Sequence, residues 1–577
     1  MLKMMNNSIL MDQYNFSTES ECLFAQKWRE MFLPGTINTY QFKLRNAHTI
    51  LEETKDVIRM IKKQNISTAN LPDLLLECKK HLEKDRCIKK YYRELLSSLL
   101  NSLKPKFEKN ELFKLEFRIN NALKSISPTY KQHLIVELQA AIEQNNLEDV
   151  EHYSELLASE LVNSGWSPRS LERLVKITFM NKKDGDLFES KWLNFVEKIN
   201  TQLEEFNCYF KLSKNDFDSL SIINMPDINI VKGIDIYSSL RRGKEHVQID
   251  SYYLCETTMS HYEDMNSAIE NCKSQLAGKQ SILSFFHIDL ERPQHLLVVF
   301  PNNIKAVNYE LRIESAINKT YIGVNINSTF EIMKNERLLL DDRQRLSNFF
   351  RQYDLSIHAP SLETIYSNLW SSLESLLLIG HHSSNIEHIK KTVPALLCGN
   401  YIQRLLQNFL FDCKRAKATF DMDDVNCIFD VLTNQEKQEE FLEYFNDYTL
   451  LKQRCLELID VLSNSNNLKE VLTNHHNNMT WHIQRMYRVR NNLVHSATVE
   501  RDIKLLIEHM HFYTRNSLHE ILLKLNKYQF NSLGDLYMAV EDNYNTLIEV
   551  LTPVKGKIES YDHEIIFEGP LFIYHNY

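Results

Sequence analysis

The segment from Trp481 to Thr498 combines residue types that could cleave a phosphodiester bond. It contains three arginines and two histidines but no aspartate or glutamate: Arg485, Arg488, Arg490, His482 and His495. Histidine exchanges protons near neutral pH, and the guanidinium fork of arginine can stabilise a phosphate in the transition state. RNA carries its own nucleophile, the 2′-hydroxyl, so cleavage by such residues needs no metal ion. The segment is a local cationic patch on a protein whose formal net charge is −9.

If this segment is one helix, its residues divide into two faces at about 100° per residue. The apolar face carries Ile483, Met486, Tyr487, Leu493 and Val494. Arg490 lies in the middle of that face, where it must meet a carboxylate or a phosphate, or face a cleft, because an unpaired guanidinium is costly to bury. The opposite face carries Arg485, Arg488, Asn492 and His495. Arg490 and His495 lie about 140° apart on an ideal helix, so they reach one phosphate only near a helix end or across a dimer.

The run from Arg490 to His495 resembles the R-x(4–6)-H signature of HEPN domains, helical bundles that often act as metal-independent ribonucleases. The preceding run, Ile483 to Asn491, is similar to the segment that leads into that motif. Leu369 to Glu374 resembles the first bundle helix of the large HEPN proteins of bacterial phage defence. The resemblance covers about residues 355–530, which is under a third of the chain.

The resemblance implies a composite site at a dimer interface, formed by Arg490 and His495 with help from the polar Asn491. Arg488 is the rival arginine, because it also has a permitted spacing to His495. Further residues are expected to support this site or to contact RNA: Arg485, Asn492, Tyr487 and Glu374. Glu374 interrupts an apolar stripe, which predicts that it is half-buried beside a cation, and we expect it to orient Arg490.

The spacing of the motif has little specificity by itself. About three such pairs are expected by chance in a chain with 21 histidines. The chain contains four: Arg241/His246, Arg351/His358, Arg488/His495 and Arg490/His495. The last pair is distinguished by its Arg-Asn step, its place late in a helical bundle and its arginine on an apolar face. The competing interpretation is a structural arginine neutralised by an acid such as Glu374, with His495 on the surface.

The predicted reaction is transesterification by the 2′-hydroxyl of RNA, tRNA included, which leaves a 2′,3′-cyclic phosphate or its hydrolysis product. His495 would act as general base or acid, Arg490 would stabilise the charged phosphate, and Asn491 would hold or polarise it. No cofactor and no metal are expected. The resemblance suggests a regulated toxin or effector of anti-phage defence and abortive infection. Such an effector would be a homodimer formed through the bundle, and its antitoxin or trigger protein would be a separate chain.

Two other classes of function remain open. In the first, the bundle is a non-catalytic module that binds a nucleotide, RNA or a partner protein, with Arg490 as an anion anchor. In the second, the protein is a purely structural helical component of a larger assembly. Metal-free RNA cleavage would distinguish the enzyme from both.

Composition places further limits on the class of protein. Glycine and proline number only 12 each among 577 residues, which favours long helices over a collagen-like chain or a turn-rich β-sandwich. The net acidity excludes a globally basic nucleic-acid binder. No apolar run approaches the ~20 residues of a membrane helix, and no secretory signal is predicted. Ten scattered cysteines without a CxxC pair indicate a reduced, cytoplasmic protein without membrane partners.

Other candidate motifs are absent or weak. The sequence has no GxxxxGK[ST], GxGxxG, GxSxG or HExxH pattern, so it does not resemble a P-loop NTPase, Rossmann dehydrogenase, α/β-hydrolase or zincin. The neighbouring histidines of His381-His382 and His475-His476 diverge on a helix, which disfavours a shared metal. His509 and His511 also fall in a predicted helix. The acidic run Asp421 to Asp424 is expected to cap the following helix.

The pattern of apolar residues predicts a mainly α fold with four segments. Residues 1–205 are expected to form a helical scaffold or regulatory domain, 206–355 a mixed α/β domain, 356–530 a helical bundle and 531–577 a C-terminal extension. The resemblance described above implies that the bundle is HEPN-like. Bundle helices are predicted near 361–380, 393–413, 433–463, 478–497 and 499–528. Strands are predicted at 228–231, 247–254, 296–300, 309–313 and 321–326, with a helix between them at about 257–280. The tail, 565–574, is predicted to be extended or a hairpin.

Overall fold

The structure is a computed structural model of the chain. It describes residues 6–32, 45–104, 109–180, 187–221, 229–285, 288, 290–291, 295–310, 326–359, 361–378, 385–416, 424–496, 503–552 and 563–574. The chain forms two compact units. Unit 1 comprises Met1–Lys27, Pro34–Glu160 and Ala316–Tyr577, and unit 2 comprises Trp28–Leu33 and Leu161–Ser315. N-terminal and C-terminal helices therefore belong to one unit, a division that differs from the four consecutive segments drawn from sequence.

Within the described residues, nine α-helices precede the middle of the chain. They are α1 (Asn7–Tyr14), α2 (Glu19–Met31), α3 (Ala47–Lys62), α4 (Pro72–Lys84), α5 (Arg86–Tyr91), α6 (Arg93–Leu100), α7 (Lys109–Ile126), α8 (Tyr130–Glu143) and α9 (Leu147–Asn163). Helix α3 begins with a capping box, in which the Asn46 side chain accepts from the backbone N–H of Thr49 at 2.9 Å, and the N–H of Asn46 donates to the Thr49 hydroxyl at 3.0 Å. Helix α4 begins at Pro72, whose missing N–H costs nothing in a first turn.

The middle of the chain contains five helices and five strands within the described residues. They are α10 (Pro168–Phe179), α11 (Phe188–Ile199), β1 (Leu203–Lys211), α12 (Lys214–Ser221), β2 (Asn229–Lys232), α13 (Gly233–Ser239), β3 (Tyr252–His261), α14 (Met265–Phe285), β4 (His295–Val299) and β5 (Ala306–Glu310). The strands form one antiparallel sheet in the order β2-β3-β1-β4-β5. Strand β4 is buried on both faces, because Leu296 and Val298 pack towards α14 while Leu297 and Val299 lie in the opposite core.

The sheet corrects several predicted strands. Strand β1 was not predicted, although Phe206, Cys208 and Phe210 alternate along it and are buried. Strand β3 extends to His261, so the predicted helix at 257–280 begins only at Met265. Strand β5 is Ala306–Glu310 rather than 309–313, and most of the predicted strand at 321–326 lies outside the described residues.

The C-terminal part of unit 1 is helical throughout its described residues. Its helices are α15 (Ile326–Lys334), α16 (Leu340–Ile357), α17 (Leu362–Leu377), α18 (Asn385–Cys398), α19 (Tyr401–Ala416), α20 (Val425–Thr433), α21 (Gln435–Glu443), α22 (Thr449–Ser463), α23 (Ser465–Ser496), α24 (Ile503–Lys527), α25 (Leu533–Val550), α26 (His563–Glu568) and α27 (Pro570–Tyr574). The mainly α prediction is confirmed. The prediction of five bundle helices is too coarse, because the segments at 393–413 and 433–463 are each divided by short breaks.

Two features of this region have clear physical reasons. The predicted helix at 393–413 would place Pro394 in a first turn, but the helix begins earlier and Pro394 lies inside α18. There it leaves the Lys390 carbonyl without its helical donor, and the hydroxyl of Thr480 donates to that oxygen at 3.4 Å. The tail is helical rather than extended. Gly569, at φ +86°, separates α26 from α27, and the side chain of Asn543 accepts from the N–H of Leu571 at 2.9 Å.

A large apolar core joins α17, α18, α23, α24 and α25, and it positions the residues considered below. Trp370, Leu373, Ile483, Met486 and Ile507 are buried in it. A second core of unit 1 joins α19, α20, α22 and α26. Among the described residues, no helix has the length and apolar character needed to cross a membrane.

Candidate functional site

Helix α23 carries the cationic segment and is buried on two sides. Ile483, Met486 and Val489 lie in the core with α17 and α24. The hydroxyl of Tyr366 on α17 donates to the Met486 carbonyl at 2.8 Å and fixes α17 against this stretch. The opposite side of α23 packs against the N-terminal helices of the same unit, where Gln484 donates to Asn70 at 2.8 Å. The helix is therefore held between two layers of unit 1.

Arg485 lies at the centre of the N-terminal layer. Its Nε donates to both carboxylate oxygens of Glu53 on α3, at 2.9 and 3.0 Å, and its Nη2 donates to Glu77 on α4 at 2.8 Å. Only 4 % of the Arg485 side chain is exposed. The buried guanidinium is therefore already paired with two acids.

Glu53 collects two further guanidinium groups. Arg488 Nη2 donates to Glu53, and the Nε of Arg45 donates to it at 2.9 Å. Although burial alone would raise the pKa of Glu53, the charges of Arg485, Arg45 and Arg488 hold that pKa well below its usual range. We name the buried side chains of Arg45, Glu53, Glu77, Arg485 and Arg488 the α3–α23 clamp. In this arrangement Arg485 and Arg488 are helix–helix contacts, and neither presents a free surface to RNA.

Arg490 differs from the other two arginines of the segment. Its side chain is 32 % exposed, and its Nη2 lies 3.8 Å from Glu374 Oε2 of α17. Its Nη1 donates to the side-chain oxygen of Asn491 at 3.2 Å. The predicted proximity of Glu374 to a cation is thus present, at a distance longer than a close ion pair. Arg490 is held in position by two partners and still reaches the surface.

The other residues predicted to support the site differ in how far they are buried and in what they contact. Tyr487 is half-buried and packs its ring 5.8 Å from that of Trp370. Asn492 is buried, and its Nδ2 lies 3.7 Å from the sulfur of Met60 on α3. Val494 was assigned to the apolar face but is exposed, because the core side of α23 follows Met486 and Val489 instead.

His495 lies in the last turn of α23, and its side chain falls outside the described residues. The helix is continuous from Arg490 to Ser496, so the backbone places Arg490 and His495 about 140° apart around the axis. The predicted helix end near His495 is present, because α23 ends at Ser496, but it does not lie between Arg490 and His495 and leaves their separation along the backbone unchanged. Arg488 shares a helical face with His495 but is bound within the clamp.

The sequence did not single out the acids of the clamp. Glu53 interrupts the buried stripe of Ile50, Thr54 and Val57 on α3, and Glu77 stands between buried Leu74 and Cys78 on α4. An acid within an apolar stripe is the same signal that selected Glu374. Applied along the whole chain, it would have identified both residues as buried acids that need cations.

A second buried polar group lies behind Arg485. The Tyr513 hydroxyl and His482 Nδ1 are hydrogen-bonded at 3.0 Å, as are His482 Nε2 and His509 Nδ1. Burial lowers the pKa of His482 well below its usual value, and burial with the charge of Arg485 lowers that of His509 to about 3. Both imidazoles are therefore neutral at pH 7. His511 has a separate partner, the Tyr353 hydroxyl, at 2.5 Å.

Among the described residues, the histidine pair His475-His476 does not have the geometry of a metal site. His475 stacks on Tyr401 at 3.6 Å and His476 on Tyr544 at 4.6 Å, so the two rings diverge. Asp424 caps α20 by accepting from Asn426, while 421–423 and His381-His382 lie outside the described residues. Within the part of the chain that the structure describes, no three histidine, cysteine or carboxylate side chains cluster as metal ligands would.

Comparisons with known proteins give no family for this chain: no family model, no curated protein and no solved structure matches it. A functional assignment therefore depends on the residues themselves. The accessible guanidinium of Arg490, its acid and amide partners, and the buried clamp beside it are the features that such an assignment must explain.

Proposed function

We propose that this protein is a metal-independent endoribonuclease of the HEPN type, with its site at Arg490. The observation that carries the proposal is the contrast within one cationic helix. Arg485 and Arg488 are 4 % and 5 % exposed and bound to acids, whereas Arg490 is 32 % exposed and held by a distant carboxylate. Of these three guanidinium groups, that of Arg490 is the accessible one, which supports a phosphate-binding role for it.

The proposed reaction uses groups of the protein and of RNA alone. His495 takes the proton of the 2′-hydroxyl, and the resulting oxygen attacks the adjacent phosphorus. The bond from phosphorus to the 5′-oxygen breaks, that oxygen takes a proton from water, and a 2′,3′-cyclic phosphate forms. Arg490 neutralises the added charge on the phosphorane, with Asn491 and Glu374 fixing the guanidinium. The transition state is then stabilised by a pre-positioned cation.

The helix geometry favours a site made by two copies of the chain. Because α23 is continuous, its backbone places Arg490 and His495 on different sides of the axis, about 140° apart. Arg490 of one copy and His495 of a second would satisfy the reaction without bending the helix. The resemblance to phage-defence proteins also suggests that the enzyme is a toxin, which needs restraint until a trigger appears. The α3–α23 clamp supports such a restraint of the nuclease site, because it holds α23 against α3 and α4.

The second candidate is a non-catalytic module that binds an anionic ligand at Arg490. It is favoured by Glu374, whose carboxylate already offsets part of the arginine charge at 3.8 Å. In this case Arg490 anchors a phosphate or a carboxylate, and His495 takes no part in chemistry. Both candidates predict anion binding, but only the first predicts new RNA ends in the absence of metal.

The deciding experiment incubates the full-length protein with total RNA and with tRNA in excess EDTA. Wild type is compared with Arg490→Ala/His495→Ala and with Arg351→Ala/His358→Ala. The second variant is a matched control, since this pair has the same spacing class and both side chains are exposed. We expect wild type and the control to cleave RNA and the Arg490/His495 variant to lose at least a hundredfold of the rate.

The products and the cellular effect provide two further readouts. Mass spectrometry of the fragments should show 2′,3′-cyclic phosphate ends, and expression of wild type should inhibit growth. The proposal is wrong if the Arg490/His495 variant cleaves RNA or inhibits growth as strongly as wild type. Anion binding at Arg490 without cleavage, in the full chain and in clamp variants alike, would favour the non-catalytic module.

A further inference from the structure

Helix α7 presents two aromatic rings to solvent one helical turn apart. Phe113 is 63 % exposed and Phe117 is 66 % exposed, whereas Leu112, Leu115 and Ile119 of the same helix are buried. The two rings lie about 6 Å apart along the helix axis. If the rings of Phe113 and Phe117 helped to pack α7 within unit 1, they would be buried. Their exposure therefore requires another explanation.

The exposed face of α7 is also basic. Lys114, Arg118 and Lys124 are exposed on it, and Glu111 is the acid among its described exposed residues. Glu116 lies to the side and is half-buried, where Lys62 donates to it at 2.6 Å. Aromatic rings interleaved with cations are the features that bind single-stranded nucleic acid, because bases stack on the rings while cations contact phosphates.

The basic aromatic face is connected through α3 to helix α23, which carries the candidate site. Lys62, the last residue of α3, places its ammonium 4.1 Å from the ring centroid of Phe113. Two residues earlier, the sulfur of Met60 lies 3.7 Å from Asn492 of α23. Asn492 is itself two residues beyond Arg490. The end of α3 thus connects the α7 face to the C-terminal turns of the cationic helix within one compact unit.

We infer that the α7 face, formed by Phe113, Phe117, Lys114, Arg118 and Lys124, binds single-stranded RNA. Charge complementarity favours a polyanion over a neutral apolar partner, and the two rings accept two bases. This face supplies contacts to nucleotides away from the cleaved bond. The inference that the bound strand leads to Arg490 rests on the proposed function, whereas the binding face itself does not.

The test measures binding of a fluorescent 2′-O-methyl oligouridine, which has no free 2′-hydroxyl and is not cleaved. Full-length wild type is compared with Phe113→Ala/Phe117→Ala by anisotropy. We expect the double variant to bind at least tenfold more weakly, in line with stacking losses of about 1–3 kcal/mol per base. Phe113→Trp/Phe117→Trp should restore binding. Phe330→Ala, which truncates a phenylalanine that is 58 % exposed on α15, is the matched control and should bind as wild type.

Salt dependence separates the two kinds of contact. Lys114→Gln/Arg118→Gln should reduce the slope of log K against log salt by about 1.4, because each phosphate contact to a single strand contributes about 0.7. The phenylalanine variant should lose affinity with an unchanged slope. Melting temperatures are measured alongside, so that a loss of binding with an unchanged melting temperature is assigned to the surface.

Two outcomes would overturn the inference. The first is equal affinity of wild type and the Phe113/Phe117 variant. The second is a Phe113/Phe117 variant that binds more weakly but also changes from dimer to monomer in light scattering, which would make the face an interface between copies. The oligonucleotide is uncleavable, so failure of the ribonuclease proposal has a separate signature. Binding that depends on Phe113 and Phe117, with no EDTA-resistant cleavage by wild type, would retain the α7 face and reject the enzyme.

Discussion

At the residue scale, the chemistry depends on how firmly one guanidinium is held. Arg490 has an acid at 3.8 Å and an amide oxygen at 3.2 Å, and both partners limit the directions in which its fork can point. Glu374 also lowers the positive potential that a phosphate would experience. A positioning residue of this kind affects rate and affinity in opposite directions, which a purely structural residue does not.

The Glu374→Gln variant tests this positioning role. The amide keeps the size of the side chain but removes its charge, so we expect RNA to bind more tightly while kcat falls about tenfold, because the guanidinium is less well oriented. Steady-state cleavage separates kcat from KM, and binding of the uncleavable oligouridine provides the affinity. A parallel loss of kcat and affinity, or no change in either, would contradict this role. Glu363→Gln, in the first turn of the same helix, is the control.

At the element scale, the α3–α23 clamp joins parts of the chain that are more than 400 residues apart. Three guanidinium groups share the carboxylates of Glu53 and Glu77, and the pairs are buried. Removing one member of a buried ionic group leaves charges without partners, which costs more than the group itself contributes to stability. The clamp therefore makes the position of α3 depend on one carboxylate.

The Glu53→Gln variant should loosen this contact. We expect the free energy of unfolding of unit 1 to fall on the order of 3 kcal/mol, because Arg45, Arg485 and Arg488 then lose the carboxylate that they share. Exposed Arg485 and Arg488 should also raise RNA affinity, and cleavage should increase if the clamp restrains the site. Thermal melting and oligouridine binding measure both effects. Glu52→Gln changes a neighbouring acid that is 47 % exposed, and it should change neither; equal effects of the two variants would refute the clamp.

The helices show which elements could be predicted from the sequence and which could not. Apolar periodicity predicted α17, the second half of α23 and α24 within a few residues. It missed the first half of α23, because residues 465–478 are rich in asparagine and histidine, and that half is positioned by packing against α18 and α22. It also misjudged the tail, where β-branched and aromatic residues favoured strands but Asn543 and Gly569 hold two short helices.

The candidate site was predictable in part for a related reason. The apolar stripe around Glu374 and the apolar face around Arg490 each contained one charge, and the structure brings these two charges together. The partner of Arg485 was not predictable, since any of many acids could meet a buried guanidinium across 432 residues of sequence. Local patterns identify a residue that needs a partner, and only the tertiary fold selects that partner.

At the scale of the whole molecule, several histidines are buried in the neutral form within unit 1. Burial lowers the pKa of His511 to about 4, with a smaller effect from the charge of Arg515, and lowers that of His509 to about 3. His482 is shifted in the same direction. The unfolded chain has ordinary histidines with a pKa near 6.5, so the two states bind different numbers of protons below that pH.

The sign of the resulting pH dependence follows from this difference. Below about pH 6.5 the unfolded state takes up protons that the folded state does not, so unfolding becomes easier as the pH falls towards 4. Each such histidine contributes about 1.4 kcal/mol per pH unit across this window. Glu53 acts in the same direction only at lower pH, because its folded pKa is depressed and its stabilisation is lost below the ordinary carboxyl range.

The His511→Gln variant isolates one of these contributions. Glutamine can still hydrogen-bond the Tyr353 hydroxyl but does not titrate, so the stability of the variant should fall less steeply between pH 6.5 and pH 4.5, by about 1.4 kcal/mol per pH unit. Urea unfolding at four pH values measures the slopes. His358→Gln replaces a histidine whose side chain is 73 % exposed and should leave the slope of wild type unchanged. Parallel curves for wild type and His511→Gln would show that His511 is not a neutral, buried group in the folded protein.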